Sequence, residues 1–170
     1  MSEPVRVVFS DQSQWYAQWS YEIASQHRQS TIVVSHMFLA LLDHPDETLL
    51  RIFDSLSLDT GRLKPETLVV VKLQVRELFF LGRKKKIFMT PLVKQSIEAA
   101  IALSKELSQP DMSPAHIFWG VISSVVKEHN IQSELQFRMR QIFSSHHVAP
   151  QAVLKALREV NNPPKEQQED

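Results

Sequence analysis

Residues 33–42 read "VVSHMFLALL", a histidine at the head of an apolar run, and residues 113–122, "SPAHIFWGVI", have the same form. Shifting the chain by 80 positions places Phe9-Ser10 on Met89-Thr90, Ala17 on Ile97, Ser35-His36 on Ala115-His116 and Phe38 on Phe118. Leu41-Leu42 then fall on Val121-Ile122, with no gap across these positions. Further on the shift becomes 90: Ile52-Phe53 lie on Ile142-Phe143, Ser55 on Ser145 and Leu58 on Val148. Extra residues around "VVKEHNIQSE" absorb the difference. Self-similarity at one long period is the mark of a unit built twice.

Each unit reads as four helices. Ser10 or Asp11 caps a helix to about His27. Ser35 starts one through Leu42, and Pro45 breaks the chain before a third helix to Leu56. Asp59 or Thr60 opens a fourth to about Leu81. Thr90 with Pro91, Ser113 with Pro114, Asn130 or Ser133, and Ala149 with Pro150 open the second four. A proline at the first helical position is tolerated because its missing N–H would be unpaired there. Only Gly61, Gly82 and Gly120 occur, which suits long helices better than a turn-rich all-β fold. "TLVVVKLQV" is rich in β-branched residues, but Leu68, Val71, Val75 and Leu78 fit a helical stripe, and a helix is favoured. The tail from residue 161, "NNPPKEQQED", has no apolar anchor and reads as disordered.

Composition narrows the function. Nineteen basic side chains balance nineteen acidic ones, which argues against a dominant attraction to nucleic acid or anionic membrane. The absence of cysteine excludes disulfides, thiolate catalysis and cysteine-ligated metals. No apolar run approaches the roughly 20 residues that span a bilayer, and the start "MSEPVRVVFSDQ" does not look like a signal peptide, so a cytoplasmic protein is expected. With so few glycines a "GxxxxGK[ST]" phosphate loop cannot be drawn, and neither a "GxSxG" elbow nor "HExxH" is present. No enzyme activity, metal or cofactor is expected.

The order of elements resembles the Clp N-terminal (Clp repeat) domain family, in a stand-alone form without an AAA+ module. "SHMFLALLDHPDETLLRIFDSLSLD" and "FMTPLVKQSIEAAIALSKEL" carry the likeness, which spans about residues 9–160. It implies an all-α fold of two pseudo-symmetric four-helix repeats, about 9–81 and 89–160, packed as one eight-helix domain. It also implies an adaptor or accessory role toward Clp AAA+ unfoldase or protease subunits or their clients. In some members the acidic residue before each repeated histidine helps bind phosphorylated arginine. Ser35 and Ala115 stand at those positions here, and neither pairs with a guanidinium group; Val34 and Pro114 replace a usual threonine or serine.

Candidate residues follow. His36 and His116 sit near helix starts, where the dipole disfavours a cation, and read as neutral structural histidines that tie helices together. His146 and His147 are adjacent and poorly placed for joint ligation. Trp15, Trp19 and Ile23 share one helical face beside Tyr16, Ala17, Ser20 and Ala24, which by resemblance pack inward. The tryptophans are then either a docking patch or part of a wide buried arc. Arg83, Lys84, Lys85 and Lys86 in "GRKKK" form a basic joint between the repeats: a solvated loop, or an electrostatic rim for an acidic partner. The alternative function is a helical regulator binding nucleic acid through that joint.

Overall fold

The structure, a computed structural model, describes residues 11–74, 88–109, 111–127 and 133–161. These form eight helices and one short strand pair. Helices α1 (Asp11–Gln26), α2 (Val34–Asp43), α3 (Glu47–Ser55) and α4 (Thr60–Leu73) make the first unit. Helices α5 (Pro91–Glu106), α6 (Pro114–Lys127), α7 (Glu134–Ser145) and α8 (Pro150–Asn161) make the second. Strands β1 (Thr31–Ile32) and β2 (Phe88–Met89) pair in parallel, Thr31 opposite Phe88, and join the approach to α2 to the approach to α5.

The starts follow the cap chemistry. Asp46, Asp59, Thr90 and Ser133 each accept a first-turn backbone N–H through the side chain. Pro91, Pro114 and Pro150 are first helical residues, where φ is already set. Helix α2 departs from expectation. Ser35 does not cap it; the helix begins at Val34, and the N–H of Val33 donates to Nδ1 of His36 at 3.0 Å. Residues 68–73 are helical as expected, although the buried stripe of α4 is Leu63, Thr67, Val70 and Val71, with Leu68 only half-buried. Val75, Leu78 and the remaining stretch to Leu81 lie outside the described residues, as do Ser10 and Asn130. Helix α8 runs through Asn161, one residue into the tail; residues 162–170 lie outside the described part.

Four helix ends repeat the sequence offsets in their backbone. Arg28 and Ser108, 80 apart, and Ser57 and His147, 90 apart, have φ between 52° and 56°. Each is the left-handed residue of a Schellman end: Gln29 N–H donates to Ala24 C=O, Gln109 to Ser104, Leu58 to Phe53 and Val148 to Phe143. No glycine occupies these sites, so each end accepts a left-handed cost of about 1 kcal/mol in exchange for satisfied carbonyls.

The core is shared between units. Phe38 of α2 meets Phe143 of α7 edge-on at 4.9 Å, and Phe118 of α6 meets Phe53 of α3 edge-on at 5.2 Å. Phe38 and Phe118 stack on each other at 5.8 Å between them. Each repeat thus packs its second-helix phenylalanine against the third helix of the other repeat. In the same sense α3 lies on α8 and α4 on α7. All four rings are buried, so neither unit completes its own core.

Candidate functional site

Helix α1 separates two faces one residue apart. Tyr16, Ser20 and Ala24, spaced four apart, are buried against α2. Ala17 is exposed, contrary to the sequence expectation, because it lies a further 100° round the helix from Tyr16. Trp15, Trp19 and Ile23 precede the buried line by one residue and run along its edge. Trp15 is 56% exposed, while Trp19 and Ile23 are half-buried.

This edge is held firmly at one end. The Trp19 ring stacks on His44 at 4.0 Å and 18°, and lies edge-on to Tyr16 at 5.0 Å. The Tyr16 hydroxyl donates to the His44 carbonyl. Burial, reinforced by the Asp46 carboxylate, pushes the Tyr16 phenol well above its usual range, so it stays a donor. Trp15 stacks outward on Trp19 with centroids 6.3 Å apart. The sequence-selected residues Trp15, Trp19 and Ile23 therefore form one ridge. Arg83, Lys84, Lys85 and Lys86 lie outside the described residues.

His36 and His116 are both fully buried. Burial pushes each imidazole down to about 4, with His27 adding to the shift at His36. Both are neutral, and both accept at Nδ1 from a backbone N–H three residues back, of Val33 or of Ser113, at 3.0 Å. They differ at Nε2. His36 donates to Gln29 Oε1 at 2.6 Å, whereas Nε2 of His116 has no partner among the described residues. The link made by His36 thus runs to the turn after α1 rather than between two helix faces, and His116 makes no equivalent link. Gln29 was not singled out by the sequence, although Gln109 repeats it at the 80-residue offset.

Two further residues have local roles. His146 Nε2 meets Glu66 Oε2 at 2.9 Å, tying α7 to α4, and His147 is the left-handed residue that ends α7. Among the described residues, no three His, Asp or Glu side chains converge as a metal site, and no helix is long and apolar enough to cross a membrane. Trp119 donates Nε1–H to the Pro150 carbonyl at 3.1 Å, so the third tryptophan joins α6 to α8.

Comparison with known proteins fits this geometry. The sequence model of the Clp repeat (R) N-terminal domain matches residues 8–136. No curated protein sequence matches the chain. Among solved structures, the Hsp104 N-terminal domain from Candida albicans superposes with a TM-score of 0.69 at 14% identity, covering 91% of each chain. The N-domain of ClpV from Vibrio cholerae gives 0.65 at 15% identity over 93% of this chain and 94% of that one. A ClpV N-domain in complex with a VipB peptide gives 0.63 at 14% identity over 94% and 95%. At such identities the likeness is one of fold.

Proposed function

The chain belongs to the Clp repeat (R) N-terminal domain family, and from that premise we propose that it is a protein-interaction module serving a Clp unfoldase–protease assembly or its clients. In this reading it acts as an accessory or adaptor and performs no catalysis of its own. The observation that carries the reading is the aromatic ridge on α1. Trp15 presents more than half its surface to solvent while Trp19 beneath it is clamped by His44 and Tyr16. A pre-ordered tryptophan loses little side-chain entropy on binding and offers a large apolar area, the combination found at interface hot spots. A domain of the same fold is known with a partner's peptide, in the ClpV N-domain complex with VipB. The basic residues Arg83 to Lys86 would supply an electrostatic rim, affecting on-rate more than affinity.

The test is a pulldown from native lysate read by mass spectrometry, run in parallel with a Trp15→Ser chain. The expected result is recovery of Clp unfoldase or protease subunits by the natural chain and their loss with the variant. Consistent absence of Clp subunits, or recovery indifferent to Trp15, would refute the assignment.

A further inference from the structure

Helix α1 has no lysine or arginine in its 16 residues, and its charged side chains are Asp11 and Glu22. Glu22 lies three residues beyond Trp19 and seven beyond Trp15, which puts it on the ridge face of the helix. It is exposed, and Gln18 donates Nε2–H to its Oε1 at 3.0 Å. That bond draws the carboxylate back by one turn to the level of Gln18, which neighbours Trp15 at a spacing of three. The donor is a neutral amide and does not cancel the charge. The ridge therefore has a carboxylate set beside its open aromatic surface.

The α2–α3 corner, which the ridge meets through His44, is acidic as well. Asp43 there is held by Lys64 at 3.4 Å, and Glu47 by Arg51. Asp46 accepts the Leu49 N–H, and its charge reaches the Tyr16 phenol that lies edge-on to Trp19. Among the described residues no lysine or arginine pairs with Glu22 or Asp46.

These charges decide what kind of segment the ridge favours. An indole face attracts a cation through its ring quadrupole, and a carboxylate alongside adds a second attraction for the same group. Trp19 is engaged by His44 and Tyr16, so Trp15, at 56% exposed, is the ring a ligand reaches most readily. Arginine fits better than lysine, because a planar guanidinium lies flat on an indole and forks onto a carboxylate. An acidic or phosphorylated segment would be repelled by Glu22 and Asp46. A purely apolar one would desolvate the Glu22 carboxylate and give it no partner.

We propose that the ridge takes a basic segment of its partner, with an arginine guanidinium lying on the Trp15 indole and donating to the Glu22 carboxylate. This rests on the protein-interaction reading above and adds the partner's chemistry to it. Trp15 anchors the contact, and Glu22 selects for the cation.

The whole chain would be titrated with acetyl-Ala-Ala-Arg-Ala-Ala amide and with counterparts holding citrulline, leucine, glutamate or phosphoarginine at the centre. Citrulline keeps the planar shape of arginine without its charge. Indole N–H signals would be followed by NMR, with that of Trp15 assigned by its loss in Trp15→Ser. The arginine peptide should shift the Trp15 signal and bind about fivefold more tightly than the citrulline peptide, a preference that shrinks as salt is raised. Glu22→Gln should remove most of the preference with thermal unfolding unchanged, and Glu22→Lys should reverse it toward the glutamate peptide. Equal affinity for arginine and citrulline, binding of none, or tighter binding of the leucine, glutamate or phosphoarginine peptide would overturn the proposal. So would shifts away from α1, Trp15-dependent self-association of the chain in sedimentation, or indifference to both Glu22 variants. Any of those results, with Trp15-dependent capture of Clp subunits intact, would leave the interaction function standing. Loss of that capture with the arginine preference intact would instead sink the Clp assignment alone.

Discussion

Gln29 and His36 share a buried hydrogen bond of 2.6 Å, Nε2–H of the imidazole donating to Oε1 of the amide. The tautomer is fixed from the other side, since Nδ1 accepts the Val33 N–H. The same glutamine then donates Nε2–H to the Val71 carbonyl at 2.6 Å. One side chain thus fastens the end of α1, the start of α2 and the last turn of α4. In the second repeat His116 keeps only the half of this arrangement that lies on Nδ1.

The asymmetry predicts unequal responses to the same substitution. Gln29→Ala leaves a buried imidazole N–H without its partner and removes the shorter of two hydrogen bonds that the Val71 carbonyl accepts, the other coming from the Gln74 N–H, a loss of about 1–3 kcal/mol. Gln109→Ala, at the matching position 80 residues on, removes no bond to His116 and should change stability by less than about 0.5 kcal/mol. Urea midpoints for the two variants read this directly. Equal losses would contradict the assigned network.

The buried histidines predict acid sensitivity. In the unfolded chain imidazoles take up protons near pH 6.5, but His36 and His116 in the fold do so only near 4. Between those values the unfolded state holds more protons, so stability falls as the pH falls. The loss is absent above about pH 6.5 and reaches on the order of 3 kcal/mol per histidine by pH 4. Unfolding free energies measured from pH 7 to pH 4 should show this slope. A double variant, His36→Asn with His116→Asn, should lower stability at pH 7 yet flatten the decline; an unchanged slope would refute the assignment.

Much of the fold was legible because it was written twice. The offsets of 80 and 90 pair Phe38 with Phe118 and Phe53 with Phe143, and those four rings are the centre of the core. Equivalence in sequence does not say which ring touches which, however. Crossing of partners between repeats is a property of the packed bundle. The left-handed ends at Arg28, Ser57, Ser108 and His147 carried no signal either, since glycine would have announced them and none is used. Ser35 looked like a cap because serines usually are, but no side chain caps the first turn of α2, and the His36 ring accepts instead the N–H of Val33, the residue before the helix. On α1 the four-residue spacing of Trp15 and Trp19 identified the ridge. Its degree of exposure depended on the line Tyr16, Ser20 and Ala24, which fixes the buried face.

Gly120 predicts a steric limit at the tightest helix crossing. A Cβ added there would lie 2.2 Å from the Ser96 carbonyl oxygen and 3.1 Å from the Ala100 nitrogen, both backbone atoms of α5. Neither can swing aside as a side chain could, so α5 and α6 must move apart. Gly120→Ala should therefore destabilise by about 1–3 kcal/mol despite the better helix propensity of alanine. The fall in Tm would be several degrees, at about 2–4 °C per kcal/mol for a chain of this size. A Tm at or above that of the natural chain would show that the crossing is looser than described.

The two tryptophans of α1 should separate stability from binding. Trp15 is 56% exposed and its one aromatic contact among the described residues is with Trp19, so Trp15→Ser should change the unfolding free energy by less than about 0.5 kcal/mol. Trp19 stacks on His44 and edges Tyr16, and its removal opens a gap above the Tyr16 hydroxyl that anchors α1 to the end of α2. Trp19→Ala should cost about 2–4 kcal/mol, toward the low end for a large aromatic because the ring is only half-buried. Both variants should lose partner capture, the first with its fold intact. Acrylamide quenching supplies an independent check: the component lost in Trp15→Ser should be the most accessible of the three tryptophans. Equal quenching before and after that substitution would place Trp15 under cover and remove the ridge as a docking surface.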